Sequence, residues 1–168
     1  MKPTLAAPFL VLPLVAQAPA PKSDAFAPLR FLAGEWKGEG GGLPGQSSGV
    51  AAFRFELEGR VPVRRSYADA PAANGRPASH HEDLLTVFVE GGQLKALYLD
   101  NEDHVIRYAV TASPEAVVFT SEPAPGPRFR LTYGKKAADL VTVTFEFAPP
   151  GKPEAFSTYL EALTRKVK

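Results

Sequence analysis

Alternation between apolar and polar residues runs through most of the chain. Phe53, Phe55 and Leu57 are spaced by two, as are Phe129, Leu131 and Tyr133, and again Val141, Val143, Phe145 and Phe147. Successive side chains of a strand point to opposite faces, so this spacing predicts strands with one buried face. Carried along the chain it predicts ten strands, at approximately 35–41, 49–58, 60–68, 79–90, 93–99, 104–112, 116–121, 128–134, 139–147 and 155–166. One earlier stretch has a helical period instead. Phe26, Leu29 and Leu32 share a face, Ser23 or Asp24 stands where a cap is needed, and Gly34 ends the segment.

No helix of useful length separates the strands, which favours an antiparallel meander over parallel crossover units. Ten strands in an open sheet would expose two edges, and closure removes them. The expected fold is therefore all-β: an up-and-down antiparallel β-barrel of about ten strands. A short N-terminal helix caps one mouth, and Trp36, the sole tryptophan, plugs one end. Barrels of eight or more strands can hold a small ligand. A two-sheet sandwich fits the same alternation and is the rival architecture.

In a meander, alternate connections fall at opposite ends. One end receives the tight turns Glu58-Gly59, Gly91-Gly92, Ser113-Pro114 and Gly134-Lys135. The other receives residues 42–48, 69–78, 100–103, 122–127 and 148–153, mostly longer and rich in Gly and Pro. Loops on a rigid scaffold are where binding usually sits, so a site is expected at the long-loop mouth.

Composition narrows the class. At 168 residues, 45% hydrophobic and 22% charged, the chain is long enough for one domain with its own core. The absence of cysteine excludes disulfides, thiolate zinc sites and cysteine nucleophiles. Residues 1–18 have the pattern of a signal peptide: Lys2, an apolar run from Leu5 to Val15, and the small-x-small site Ala16-Gln17-Ala18. The apolar run is too short to span a bilayer. The expected organisation is a leader over 1–18, a linker over 19–24 and a barrel domain over 25–168, exported after cleavage near Ala18. Nineteen Lys and Arg face eighteen Asp and Glu, and without Lys2 the two are equal. A balanced charge with no basic cluster gives no electrostatic reason to bind nucleic acid or an anionic membrane.

The long-loop mouth gathers the residues capable of chemistry. His80-His81-Glu82-Asp83 open one strand, Asp100 ends the next, His104 begins the one after, and Arg128 and Arg130 open a later one. All three histidines thus fall at one end. A hydrogen-bonded rim, with His104 tying down the 100–103 turn, is the plainest reading. A metal site would take His80 with Glu82, or His81 with Asp83, and add His104. Acid–base chemistry would use His81, Glu82 and His104, whereas Gln46-Ser47-Ser48-Gly49 misses the spacing of a serine elbow. Ligand binding is the favoured reading. Arg65, Arg128 and Arg130 sit among apolar neighbours in strand patterns, and one turned inward would need an acid or an anionic ligand group. Trp36, Phe55, Tyr98 and Phe129 would line the apolar part, with His81 and His104 near the entrance.

The stretch Phe31-Leu32-Ala33-Gly34-Glu35-Trp36-Lys37-Gly38-Glu39-Gly40 resembles the Leu-x-Gly-x-Trp-x-Gly-x-Gly opening of the calycin group, which includes lipocalins, fatty-acid-binding proteins and nitrobindin. The segments His81 to Asp83, Tyr98 to Tyr108 and Pro127 to Tyr133 are similar to a bacterial lipocalin-like family of uncharacterised function. This resemblance, over about residues 26–166, implies a closed barrel with an internal cavity. Nitrobindin-like members bind ferric haem through a histidine near the C-terminus, but the last strand here, Phe156 to Thr164, has none. A haem iron would have to be held by His80, His81 or His104 from another strand. The reading that results is an exported, monomeric or weakly dimeric binding protein for a small hydrophobic or amphipathic molecule. No cofactor is expected; haem binding and enzymatic activity are the alternatives.

Overall fold

The computed structural model describes residues 24–39, 48–72, 75 and 77–167. The leader expected over 1–18 and all of the linker except Asp24 lie outside them, as does most of the first long loop. The described chain forms ten strands: β1 (Gly34–Glu39), β2 (Ser48–Phe55), β3 (Val61–Ala70), β4 (Ser79–Glu90), β5 (Gln93–Asp100), β6 (Val105–Ala112), β7 (Ala116–Ser121), β8 (Arg128–Ala137), β9 (Leu140–Ala148) and β10 (Ser157–Lys166). Each pairs antiparallel with its sequence neighbours, and β1 pairs with β10 through Trp36↔Lys166 and Gly38↔Thr164. The sheet therefore closes, and the sandwich is ruled out.

The N-terminal segment departs from the expected helix. It is a 3-10 helix over Ala27–Leu32 with Phe26 at its N-cap and no side-chain cap bond. Six residues containing Pro28 are too few for a stable α-helix, and Asp24 instead accepts from the Phe26 N–H at 3.0 Å. This helix closes the tight-turn end. Leu29 and Leu32 are buried, Trp36 Nε1 donates to the Leu32 carbonyl at 2.7 Å, and the Arg30 guanidinium lies 4.9 Å from the Phe55 ring centroid.

Two turns also differ from expectation, each for a local reason. β2 stops at Phe55 rather than 58, because Leu57 and Glu58 take left-handed φ of 49° and 60° and curl the chain into a short turn. Gly134 lies inside β8 opposite Thr142, and the hairpin turn falls at Ala138-Asp139. A Cβ on Gly134 would come within 2.6 Å of Thr142 Oγ1, a hydroxyl that donates to the Gly134 carbonyl at 3.1 Å. That glycine makes room for a neighbour instead of turning the chain.

The core is concentrated on the inward face of β4 to β9. Phe119 and Val117 are fully buried, and Phe119 meets Tyr108 and Tyr133 edge-to-face at 6.2 and 6.1 Å. The outer face carries ion pairs such as Lys95–Glu122 and Arg130–Glu146, where a membrane-spanning barrel presents an apolar band. Replacing Phe119 by Ala removes the ring on which both tyrosines rest. We expect a loss of about 3–5 kcal/mol of unfolding free energy, read by urea titration.

Candidate functional site

Side-chain alternation on β3 decides what enters the barrel. Pro62 and Arg64 are buried while Arg65 and Tyr67 are exposed, so Arg64, and not Arg65, points inward. On β4 the inward set is His81, Asp83, Leu85 and Val87. Ser66 pairs with Asp83 across the two strands, which leaves Arg64 diagonal to Asp83 and within reach of it. Arg64 Nη2 donates to Asp83 Oδ1, and both side chains are only 6% exposed. Across the barrel, Arg64 Nη1 donates to the hydroxyl of Tyr133 on β8. Burial alone would pull the guanidinium down, but Tyr133 and Asp83 outweigh it and hold Arg64 above its ordinary range. The guanidinium is held in its charged form.

A second acid stands directly opposite the first. Asp83 and Asp100 are cross-strand partners, a placement that like charges ordinarily disfavour. Each acid is compensated separately. Asp83 has Arg64. Asp100 accepts from the backbone N–H groups of Glu102 and His104, from the Tyr98 hydroxyl at 3.1 Å, and lies 2.8 Å from His104 Nδ1. Burial raises the Asp100 carboxyl, but hydrogen bonds from His104, Glu102 and Tyr98 bring it below its ordinary value. Burial, reinforced by the charges of Asp83 and Asp100, pushes the Tyr98 phenol up, so it stays a donor. His81 completes the link: Nε2 is 3.1 Å from the Tyr98 hydroxyl and 3.7 Å from Asp83 Oδ2, and Nδ1 is 3.1 Å from Glu102. The result is a chain of polar groups from the long-loop rim to the barrel interior.

On the other side of Arg64 lies a cavity of about 190 Å³. Its walls come from β1–β3 and β8–β10, with Trp36, Phe53, Tyr133, Val141 and Val143 as the main apolar surfaces, and Arg64 and Ser66 as polar ones. It reaches the surface beside β10, where Leu160 lines it and is 42% exposed. Arg64 Nε is buried and has no hydrogen-bond partner. An N–H on a charged group left unsatisfied in the interior carries a desolvation cost of about 1–3 kcal/mol or more.

The residues expected to bind therefore separate. The three histidines do share one end, but only His81 faces inward; His80 is held by Asp69 at 2.7 Å and His104 by Asp100, both exposed. Trp36 lines the cavity. Phe55 sits under Arg30 at the opposite end, Phe129 stacks on Phe145 at 5.9 Å, and Tyr98 belongs to the polar chain. Arg128 and Arg130 are on the outward register, because Phe129, Leu131 and Tyr133 face in. Arg128 is bonded to Glu154 and the Ser121 carbonyl, and Arg130 takes both oxygens of Glu146. Arg65 is exposed. Sequence reasoning missed Arg64 by one position and did not single out Tyr133 as its partner.

Among the described residues, no group of three His, Asp or Glu side chains is arranged to hold a metal ion. The metal reading with His80, His81, Glu82, Asp83 and His104 gains no set of converging ligands. Comparison against protein-family models finds no match, and no curated protein is significantly similar to the chain. The buried pair generates a direct test. Arg64→Met leaves Asp83 buried and uncompensated and is expected to cost about 3–5 kcal/mol in urea unfolding. Arg64→Met with Asp83→Leu should recover most of that loss, since both charges are then gone.

Proposed function

We propose that this barrel binds a small, largely apolar molecule in the cavity beside Arg64, without catalysing a reaction. The observation that carries the reading is a largely apolar hollow in the barrel whose wall includes two polar residues, Arg64 and Ser66. A binding site usually takes that form, with apolar walls and a few placed polar groups. Size limits the ligand. A hollow of about 150 Å³ holds benzene, so 190 Å³ suits a molecule of roughly ten non-hydrogen atoms. A long-chain lipid would have to leave much of its length outside. Entry falls beside Leu160 at the long-loop end.

The alternatives have less support. No histidine lines the cavity, and its volume is below the roughly 300 Å³ at which sites for drug-sized ligands begin, so the residues do not fit a haem. For catalysis by His81, Glu82 and His104, Glu82 lies on the opposite face of β4 from His81, and His104 is held outside by Asp100. Membership of the calycin group and export after cleavage near Ala18 belong to the same proposal. They rest on the Trp36 motif and on the Lys2 to Ala18 pattern respectively. A monomer or weak dimer fits the ion pairs scattered over the outer face.

Trp36 makes the proposal measurable, because the only tryptophan lines the cavity. Titration with small aromatic and branched aliphatic compounds should change its emission saturably. Ala162→Phe places a ring in the cavity from β10 and should abolish that response while leaving the melting temperature within a few degrees. A wild-type protein that responds to no compound of this size range contradicts the reading.

A further inference from the structure

One stretch of the outer wall is apolar where a barrel ordinarily meets water. On β3 to β6 the inward positions include Arg64, Leu85, Ala96 and Tyr108, all buried, so their neighbours in sequence face out. Arg65, Leu84, Leu99 and Val105 are cross-strand partners in one outward row, and Leu97 pairs with Thr86 and Arg107 in the row below. Leu99 is 37% exposed and Val105 66%. Arg65 and Glu82 are both exposed at the edge of this strip, and among the described residues neither has an ion-pair partner, whereas Arg107 is answered by Glu90 and Glu122. Arg65, Glu82, Leu84, Leu99 and Asn101 line a shallow depression of about 220 Å³ on the same face. We propose that this face pairs with the same face of a second copy of the chain, Arg65 of each copy meeting Glu82 of the other across a strip of leucines.

The register of the four strands makes this face its own complement. Glu82 lies one strand over from Arg65 and two residues nearer the long-loop mouth, opposite Tyr67. Val105 lies one strand over from Leu97 and two residues nearer the same mouth, opposite Leu99. The two offsets are parallel and equal. With strands about 4.8 Å apart and alternate residues about 6.8 Å apart, the line joining the midpoints of the two pairs runs at right angles to both offsets and passes between Leu84 and Leu99. A two-fold axis laid along that line exchanges the members of each pair. It sets Arg65 against the second copy's Glu82, Leu97 against Val105, and Leu84 and Leu99 each against its own counterpart, as an isologous contact requires. An anionic membrane or an acidic partner would instead set Glu82 against like charge. The apolar part is only Leu84, Leu97, Leu99 and Val105 on a convex wall, so the interface is smaller than the roughly 1,200 Å² of stable complexes and the pairing is weak. The cavity opens beside β10, outside this face, so the inference stands apart from the ligand reading.

Sedimentation equilibrium of the full chain tests the pairing by charge reversal. The average mass of the wild type should rise above the 18.0 kDa of one chain as its concentration is raised. Arg65→Glu and Glu82→Arg should each weaken association about tenfold, because two exposed ion pairs become two like-charge contacts. An equimolar mixture of the two variants should recover association of wild-type strength, since each then presents the charge that the other lacks. Leu99→Asp should abolish association. Both charged positions are exposed, and melting curves check that every variant is folded. A wild type that stays monomeric up to its solubility limit would overturn the proposal. Association that neither reversal weakens would put the contact on another face. Weakening by both reversals with no recovery in the mixture would overturn the two-fold pairing of Arg65 with Glu82.

Discussion

A guanidinium inside a barrel must be answered by an acid, and the Arg64–Asp83 pair organises the interior around that requirement. Removing two charges from water is costly, and their attraction recovers the cost only with good geometry and further hydrogen bonds. The protein supplies most of these: Asp83 on the adjacent strand and Tyr133 from across the barrel. It leaves one donor, Nε, without a protein partner.

The pair also divides the barrel into two kinds of interior. On the β4–β6 side, Asp83 and Asp100 stand opposite each other and are separately compensated, and His81, Tyr98 and Tyr108 fill the space around them. This side is held together by hydrogen bonds. On the β1–β3 and β8–β10 side the lining is small or apolar, with Gly38, Gly49, Ala51 and Ala162 where larger residues would close the hollow. Closure of β1 on β10 is what makes this second space a cavity and not an open face. The 3-10 helix and the Trp36 bond to Leu32 seal its far end.

How much of this could be read from the sequence depends on which physical signal carried it. The strands were legible because a two-residue period leaves little freedom: β4 and β7 begin and end where the alternation does, and closure follows from the need to pair edges. The gathering of the histidines at one end followed from turn parity alone. The interior of β3 was not legible, since Arg64 and Arg65 are adjacent and Val61 to Ala68 is mixed on both faces. Only the partner strands fix the phase, and a slip of one residue exchanges the buried cation for a solvated one. Arg128 and Arg130 failed for the complementary reason. Their apolar neighbours mark the buried face, so the arginines mark the other, where Glu146 and Glu154 answer them. Gly134 looked like a turn because glycine favours turns, and nothing local announces that Thr142 needs the space.

The central claim is that a real hollow lies between Trp36, Phe53 and Tyr133 with Arg64 in its wall. Crystals of the protein pressurised with xenon test it most directly, because xenon enters apolar cavities of this size. The account predicts an ordered xenon peak enclosed by those residues. Side chains filling that volume, with no xenon density inside the barrel, would contradict it.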